Sequence, residues 1–159
     1  MRISASVLFI AMVVATGAAF AADEADAILG KWITEDGKSY VEISKVNGKY
    51  NGKIVWLKDE VYEEGDEEAG KPVHDRENPD QALRNRPILG LQMLDGFEYA
   101  GKNTWKKGTI YDPENGKTYK CKMTLQDPKT LDVRGFIGVS MIGRTTVWVR
   151  YEPPKDEGK

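Results

Sequence analysis

The last third of the chain alternates apolar and polar residues with a period of two, and this pattern restricts the fold more than any other feature. Between 117 and 125 every second residue is apolar, namely Tyr119, Cys121, Met123 and Leu125. This period places alternate side chains on opposite faces of an extended strand, with one face buried. The alternation recurs at 131–137 and 144–150. We therefore predict four consecutive antiparallel strands within 108–151.

The first of these four strands begins at about 104, and four earlier strands are predicted at 30–36, 40–46, 50–57 and 88–94. Asn47 and Gly48 separate two of them, and both residue types tolerate the positive φ that a type I′ hairpin turn requires. Eight antiparallel strands joined by short turns would expose two edges in an open sheet, whereas closure into a barrel pairs every strand. The sequence thus predicts an all-β fold, an eight-stranded antiparallel up-and-down barrel. Such an interior is filled by side chains or holds one small ligand.

A long polar segment, 58–87, interrupts the strands. Its first half is an acidic run broken by glycines, which predicts a solvated loop. In its second half, Asn78 is a suitable helix cap and Pro79 suits the first helical position. We therefore predict one short helical turn near 79–84, ended by Pro87.

The first 21 residues have the pattern of a secretory signal peptide. A basic residue precedes a short apolar run, and an Ala-x-Ala cleavage site ends at Ala21. Cleavage there predicts a periplasmic or secreted protein. The apolar run is shorter than the roughly 20 residues that cross a bilayer, so no membrane span is expected. The remaining segments are interpreted as a linker at 22–29, a single barrel domain at 30–152 and a polar tail at 153–159.

Charge and cysteine content argue against two classes of interaction. The sequence has 23 basic and 25 acidic residues, and removal of Arg2 with the signal peptide leaves a net charge of −3. A nucleic-acid-binding domain would carry an excess of basic residues, so nucleic acid is not an expected partner. Cys121 is the only cysteine, which rules out an internal disulfide. Its position on the apolar face of a strand predicts an unreactive thiol that serves in packing.

Catalytic and metal-binding patterns are weak. His74 is the only histidine, and no serine lies in a G-x-S-x-G motif that would mark a nucleophile. His74, Asp75 and the nearby glutamates lack the ligand spacing of a zinc site. We therefore expect no enzyme activity, no metal and no cofactor.

The strongest candidate site is a polar cluster formed by Asp75, Arg76, Asn78, Asp80, Arg84 and Arg86. One interpretation is structural, since arginine–carboxylate pairs and a capping asparagine would fix the loop. In the other, Arg84 and Arg86 face the barrel mouth and hold an anionic head group, because a guanidinium matches a carboxylate or phosphate. The apolar part of such a ligand would contact the barrel interior. Candidates for these contacts, each of which could equally be plain core, are Trp56, Tyr111, Tyr119 and Met123.

Five segments together resemble the bacterial exported family catalogued as domain of unknown function 2147. They are GKW at 30–32, YNGKIVWL at 50–57, DRENPDQALRNRPILGL at 75–91, GTIYDPENGKTY at 108–119 and LDVRGFIG with GRTTVWVR within 131–150. The resemblance covers nearly all of the mature chain. It implies a barrel like those of lipocalins or fatty-acid-binding proteins, with no established activity.

The Gly-x-Trp at the first strand and an arginine ending the last strand are also similar to lipocalins. That similarity implies that Arg150 packs over Trp32 at the barrel floor, a cation–π contact worth roughly 0.5 to 2 kcal/mol. Two functions follow as hypotheses. In the first, a periplasmic barrel binds a small amphipathic or hydrophobic molecule. In the second, a packed, ligand-free envelope protein acts through contacts with a protein partner of unknown identity.

Overall fold

The computed structural model describes residues 24–139 and 141–154. Its eight strands are β1 (Gly30–Ile33), β2 (Ser39–Val46), β3 (Lys49–Leu57), β4 (Gln92–Tyr99), β5 (Thr104–Asp112), β6 (Lys117–Asp127), β7 (Thr130–Phe136) and β8 (Gly143–Arg150). Each strand pairs antiparallel with the next, and β1 also pairs with β8 through the registers Trp32 with Arg150 and Ile33 with Val149. The predicted eight-stranded up-and-down barrel is therefore confirmed.

The hairpin between β2 and β3 shows how local sequence sets the register. Asn47 and Gly48 have φ angles of 51° and 77°, as a two-residue type I′ turn requires. The turn pairs Val46 with Lys49, and this register directs Val41 and Ile43 into the barrel. A slip of one residue would place these side chains in solvent, so the turn and the apolar pattern support one another.

The fourth strand lies later in the chain than the apolar residues predict. The sequence places it at 88–94, but β4 covers Gln92–Tyr99. Gly90 has a φ of 87°, and the Leu91 amide donates to the Ile88 carbonyl, so residues 88–91 form a turn. Ile88 and Leu91 are nevertheless buried. Their apolar character therefore reflects burial in the loop rather than an extended strand.

One half of the barrel interior is packed with large side chains. Trp32, Phe97, Trp105, Met123 and Leu131 are all fully buried there. Burial of each such side chain contributes roughly 1.5 to 3 kcal/mol relative to its exposure to water. This end of the barrel is a conventional hydrophobic core.

Residues 24–29, which we call the closing segment, cover the packed end of the barrel. Residues 24–26 form a helical turn, and Ile28 is fully buried. The indole N–H groups of Trp105 and Trp32 donate to the carbonyls of Ala25 and Ile28, at 3.1 and 2.9 Å. The sequence was interpreted as a linker here because of its acidic residues. In the structure, this part of the linker belongs to the core.

The short helix in the long loop is a 3₁₀ helix at Gln81–Leu83, within the predicted range. Its cap differs from the prediction, because the Asp80 carboxylate accepts the Ala82 amide at 2.9 Å. Asn78 instead accepts the Asp80 amide through its side-chain oxygen, at 2.9 Å. A carboxylate near the positive end of the helix suits the cap as well as an amide does.

The ends of the chain lie largely outside the described residues. The predicted signal peptide at 1–21 lies wholly outside them, as do residues 155–159 of the predicted tail. Within the described part of the chain, no helix has the length and apolar character needed to traverse a bilayer.

Candidate functional site

The other half of the barrel interior holds a cavity of about 1260 Å³ that opens to solvent. Its inner wall is apolar and is formed by side chains from several strands and from the long loop, including Ile54, Ile88, Ile110, Val133 and Trp148. Ile54, Val133 and Trp148 are at most 3% exposed, so they form the deep end of the cavity. The packed core lies beneath them, and the cavity therefore has an apolar floor and a single open end.

The mouth of the cavity is built from connections between strands. In an up-and-down barrel, alternate connections lie at the same end, and the cavity lining includes residues from four of them. Representative residues are Asp36 between β1 and β2, Glu63 between β3 and β4, Glu114 between β5 and β6, and Ile137 between β7 and β8. Loops on a rigid barrel are the usual place for binding residues.

The polar part of the cavity lining is strongly acidic. Its described residues include nine carboxylates but only three lysines or arginines, a formal charge of −6 with His74 neutral. Arg76 pairs with Asp66 at 3.0 Å, and Arg144 lies 3.5 Å from Glu35. Two of the three cations are therefore already neutralised by neighbouring carboxylates.

The predicted polar cluster is assembled around Asp75, which is fully buried. Its carboxylate accepts from Arg86 Nε at 2.7 Å, from the Tyr111 hydroxyl at 2.6 Å and from Asn78 Nδ2 at 2.8 Å. The Arg86 guanidinium also lies 5.3 Å from the centre of the Tyr111 ring. Burial and the hydrogen bond to Asp75 raise the pKa of the Tyr111 phenol. The buried carboxylate is thus satisfied by three donors from the protein itself.

Arg84 and the turn between β5 and β6 also contact this cluster and the loop that carries it. Arg84 Nε donates to the Asn78 carbonyl at 2.7 Å. Gly116, with a φ of 68°, lies so close to the loop that an added Cβ would clash with the Glu77 carbonyl oxygen. The cluster therefore fixes the long loop against β5 and the turn that follows it, as the structural interpretation predicts.

The arginines expected to face the barrel mouth do not line the cavity. Arg84 and Arg86 are absent from its wall, as are Asp75, Asn78 and Tyr111. Arg86 is paired with Asp75, and Arg84 Nε donates to the Asn78 backbone carbonyl, which differs from the expectation that these guanidinium groups would hold an anion at the barrel mouth. The sequence indicated which residues would come together, but the Arg86 guanidinium binds the Asp75 carboxylate of the protein instead of an anionic ligand.

The four interior candidates lie in four different environments. Tyr119 lines the cavity, whereas Met123 is fully buried in the packed core. Tyr111 lies in the Asp75 cluster. Trp56 is 36% exposed and stacks on Tyr40 with ring centres 4.3 Å apart, outside the cavity lining. Alternation correctly indicates that a strand has two faces, but it does not indicate which face is inside when both carry apolar residues.

In β8, the buried face is the one that carries Trp148, not the one that carries the valines. Val147 and Val149 are 40% and 52% exposed, whereas Trp148 is buried and lines the cavity. A valine-rich face would ordinarily be assigned to the interior because valine is often buried. The register with β7, which pairs Leu131 with Trp148, places both of these residues inside.

Neither His74 nor Cys121 forms part of a metal or nucleophile site. His74 Nε2 lies 2.7 Å from a Glu68 carboxylate oxygen, and its Nδ1 lies 2.7 Å from the Arg84 carbonyl oxygen. Among residues 24–139 and 141–154, no group of three His, Cys, Asp or Glu side chains is placed to hold a metal ion. Cys121 is 2% exposed, and burial raises its thiol pKa to about 12, so the thiol is protonated at neutral pH.

The Trp32–Arg150 contact at the barrel floor is present. The guanidinium carbon of Arg150 lies 4.2 Å from the centre of the fully buried Trp32 ring. Arg150 also donates to the carbonyls of Leu29 and Ala27, at 2.8 and 2.6 Å. One arginine thus joins the last strand, the first strand and the closing segment.

A solved structure has a similar fold. Protein HP1028 from the human pathogen Helicobacter pylori, described as belonging to the lipocalin family, aligns with a TM-score of 0.67 and 27% identity. The alignment covers 79% of this chain and 84% of that chain. No protein of curated function matches the sequence. Residues 30–150 match the family described as an uncharacterized protein conserved in bacteria, DUF2147, and the chain therefore belongs to the DUF2147 family, with a lipocalin-like barrel.

Proposed function

We propose that this protein binds a small hydrophobic or amphipathic molecule in the open half of its barrel. The observation that carries the proposal is the cavity of about 1260 Å³ with a buried apolar wall. Ligand sites in proteins typically occupy about 300 to 1,000 Å³ and are lined mainly by apolar side chains. The larger value here includes space at the open mouth.

The proposal places the protein in the periplasm. Its support is the signal-peptide pattern at 1–21, because cleavage after Ala21 would leave the closing segment intact. Intact mass measurement of the protein from a periplasmic extract is expected to give a chain beginning at Ala22. Recovery of the unprocessed chain from the cytoplasm would contradict this location.

A second candidate function rests on a different feature. Four apolar residues of the β7–β8 turn, Ile137, Val139, Met141 and Ile142, are between 62% and 87% exposed. Exposed apolar groups of this kind are typical of surfaces that contact another protein. In this alternative, the protein is an envelope component that acts through protein contacts and needs no ligand.

Uptake of a neutral apolar fluorophore separates the two functions. We expect N-phenyl-1-naphthylamine to brighten on binding, and we expect Gly135→Leu to weaken that binding about ten-fold, which corresponds to roughly 1.4 kcal/mol. Gly135 lines the cavity, and a Cβ there would meet Ile110 Cγ2 at 3.4 Å, an ordinary contact. The added side chain therefore fills cavity space without a backbone clash.

Thr118→Leu is the matched control, because it adds a leucine to the exposed face of β6. This control is expected to bind the fluorophore as the unmodified protein does. Absence of any uptake by the unmodified protein would contradict the binding proposal and favour the ligand-free alternative.

A further inference from the structure

We infer that the ligand of this barrel is an amphipathic cation, with its apolar part in the cavity and its positive head group at the acidic mouth. This inference rests on the proposed binding function and assigns the chemical class of the ligand. It reverses the charge that the sequence suggested, because the arginines thought to face the mouth are bound elsewhere. Two independent features support it. The apolar cavity favours a hydrocarbon tail, and the negative charge at the mouth favours a positive head group.

The charge at the mouth is not a property of the whole surface. The complete chain carries a formal charge of −2, whereas the cavity lining carries −6, so the rest of the chain carries +4. Acidic side chains are therefore concentrated at one end of the barrel. A cleft lined by one sign of charge with low-dielectric walls attracts ligands of the opposite sign.

Several of these carboxylates have no partner within the described chain. The side chains of Asp59, Glu63, Glu64 and Glu114 line the cavity and make no ion pair or hydrogen bond with the residues at 24–139 and 141–154. A carboxylate already paired with arginine would offer little further attraction. These four remain available to a cationic group, and they repel an anionic one.

Most positive groups near the mouth are already bound or lie outside the cavity lining, and Lys38, the one lysine or arginine of the described lining without an ion pair, is outnumbered by nine carboxylates. Arg86 is bound to Asp75 at 2.7 Å, and Arg84 donates to the Asn78 carbonyl at 2.7 Å. At the mouth itself, Arg76 is paired with Asp66 at 3.0 Å. An anionic amphiphile would therefore find only Lys38 unpaired in the described lining, and it would also have to approach the unpaired carboxylates that repel it.

The cavity wall explains why charge alone is insufficient. The deep end is apolar, because the Ile54 and Val133 side chains are hydrocarbon and the Trp148 N–H already donates to the Thr146 hydroxyl at 3.2 Å. Transfer of hydrocarbon groups from water into such surroundings is favourable. A cation with a hydrocarbon tail therefore gains from both ends of the cavity, whereas a tail-free cation gains only weak, solvent-screened attraction at the mouth.

Competition for bound N-phenyl-1-naphthylamine at low ionic strength tests the inference. The competitors share a dodecyl tail and are used below their micellar concentrations: dodecyltrimethylammonium, dodecyl sulfate and neutral dodecyl maltoside, with tetramethylammonium as the tail-free cation. We expect dodecyltrimethylammonium to displace the fluorophore at about ten-fold lower concentration than dodecyl sulfate. Tetramethylammonium is expected not to displace it. Added salt is expected to reduce the preference.

Substitution of the unpaired carboxylates tests whether the preference for a cationic over an anionic competitor arises at the mouth of the cavity. Glu63→Gln with Glu64→Gln is expected to reduce the cation-to-anion ratio about five-fold, because two exposed charges are removed. The matched control, Glu42→Gln with Asp95→Asn, removes two exposed charges from β2 and β4 outside the cavity lining and is expected to leave the ratio unchanged. An unchanged fluorophore affinity in each variant shows that the barrel is folded.

The outcomes distinguish this inference from the proposed function. If the fluorophore binds but dodecyl sulfate competes as well as or better than dodecyltrimethylammonium, the charge inference is wrong and the binding function stands. Equal competition by all three dodecyl compounds likewise overturns the inference. If the fluorophore does not bind at all, the binding function fails and the inference fails with it.

Discussion

Replacement of Trp32 by alanine is expected to lower the free energy of unfolding by about 3 to 5 kcal/mol, the usual cost of truncating a large buried aromatic side chain. The Trp32 ring is fully buried, and its N–H donates to the Ile28 carbonyl at 2.9 Å. Truncation leaves a cavity in the packed half of the barrel and removes the surface on which Arg150 rests, 4.2 Å from the ring centre. It also releases one attachment of the closing segment.

Urea unfolding followed by circular dichroism measures this effect as a shift of the midpoint at constant slope. Trp56→Ala is the matched control, because Trp56 is 36% exposed and lies outside the packed core. We expect the control to lose less than half as much stability. Equal midpoints for Trp32→Ala and the unmodified protein would show that the barrel floor is not held by this contact.

Replacement of Asp75 by alanine is the second change with a large expected effect, about 2 to 4 kcal/mol of unfolding free energy. The fully buried Asp75 carboxylate accepts hydrogen bonds from Arg86, Tyr111 and Asn78. Its removal leaves these donors without their acceptor. Removing one partner of a fully buried ion pair costs roughly 3 to 5 kcal/mol. The loss expected here is somewhat smaller, because the Arg86 side chain is 36% exposed and water can reach it.

The same urea measurement applies, with Asp95→Ala as the control. Asp95 is an exposed aspartate on β4 whose carboxylate accepts from Gln92, and its removal is expected to change stability by less than about 0.5 kcal/mol. If Asp75→Ala and Asp95→Ala unfold at the same urea concentration, the cluster does not fix the long loop.

The barrel could be predicted from the sequence because its determinants are local. Alternation along β6 sets one buried face, and Asn47-Gly48 sets the register of the hairpin between β2 and β3. These signals depend only on neighbouring residues and on the need to avoid unpaired edges. Closure between β1 and β8 then follows from the number of strands.

The position of β4 and the role of the closing segment could not be read in this way. Apolar residues at 88–91 suit a buried turn as well as a strand, and only the positive φ of Gly90 distinguishes the two. The closing segment is acidic in composition, but Ile28 and Ala25 are buried by contacts with distant strands. Tertiary packing decides both cases.

The candidate site was harder to predict than the fold for a related reason. The sequence indicated that Asp75, Arg86 and their neighbours would interact, but it could not show that they satisfy one another. The cavity wall consists of ordinary core residues such as Ile54 and Ile110, which carry no chemical signature. The acidic run at 58–68 was interpreted as a solvated loop, and its position at the cavity mouth becomes visible only when the barrel is closed.

We propose that the barrel is packed at the end covered by the closing segment and that its open half holds the ligand. Methyl NMR during titration with N-phenyl-1-naphthylamine tests it most directly, because isoleucine, leucine and valine methyl groups report on both halves. We expect shifts for Ile54, Ile110 and Val133, which line the cavity, and little change for Ile28, Ile43 and Leu125, which are buried towards the closed end of the barrel. Shifts confined to the packed half, or to the exposed outer surface, would contradict it.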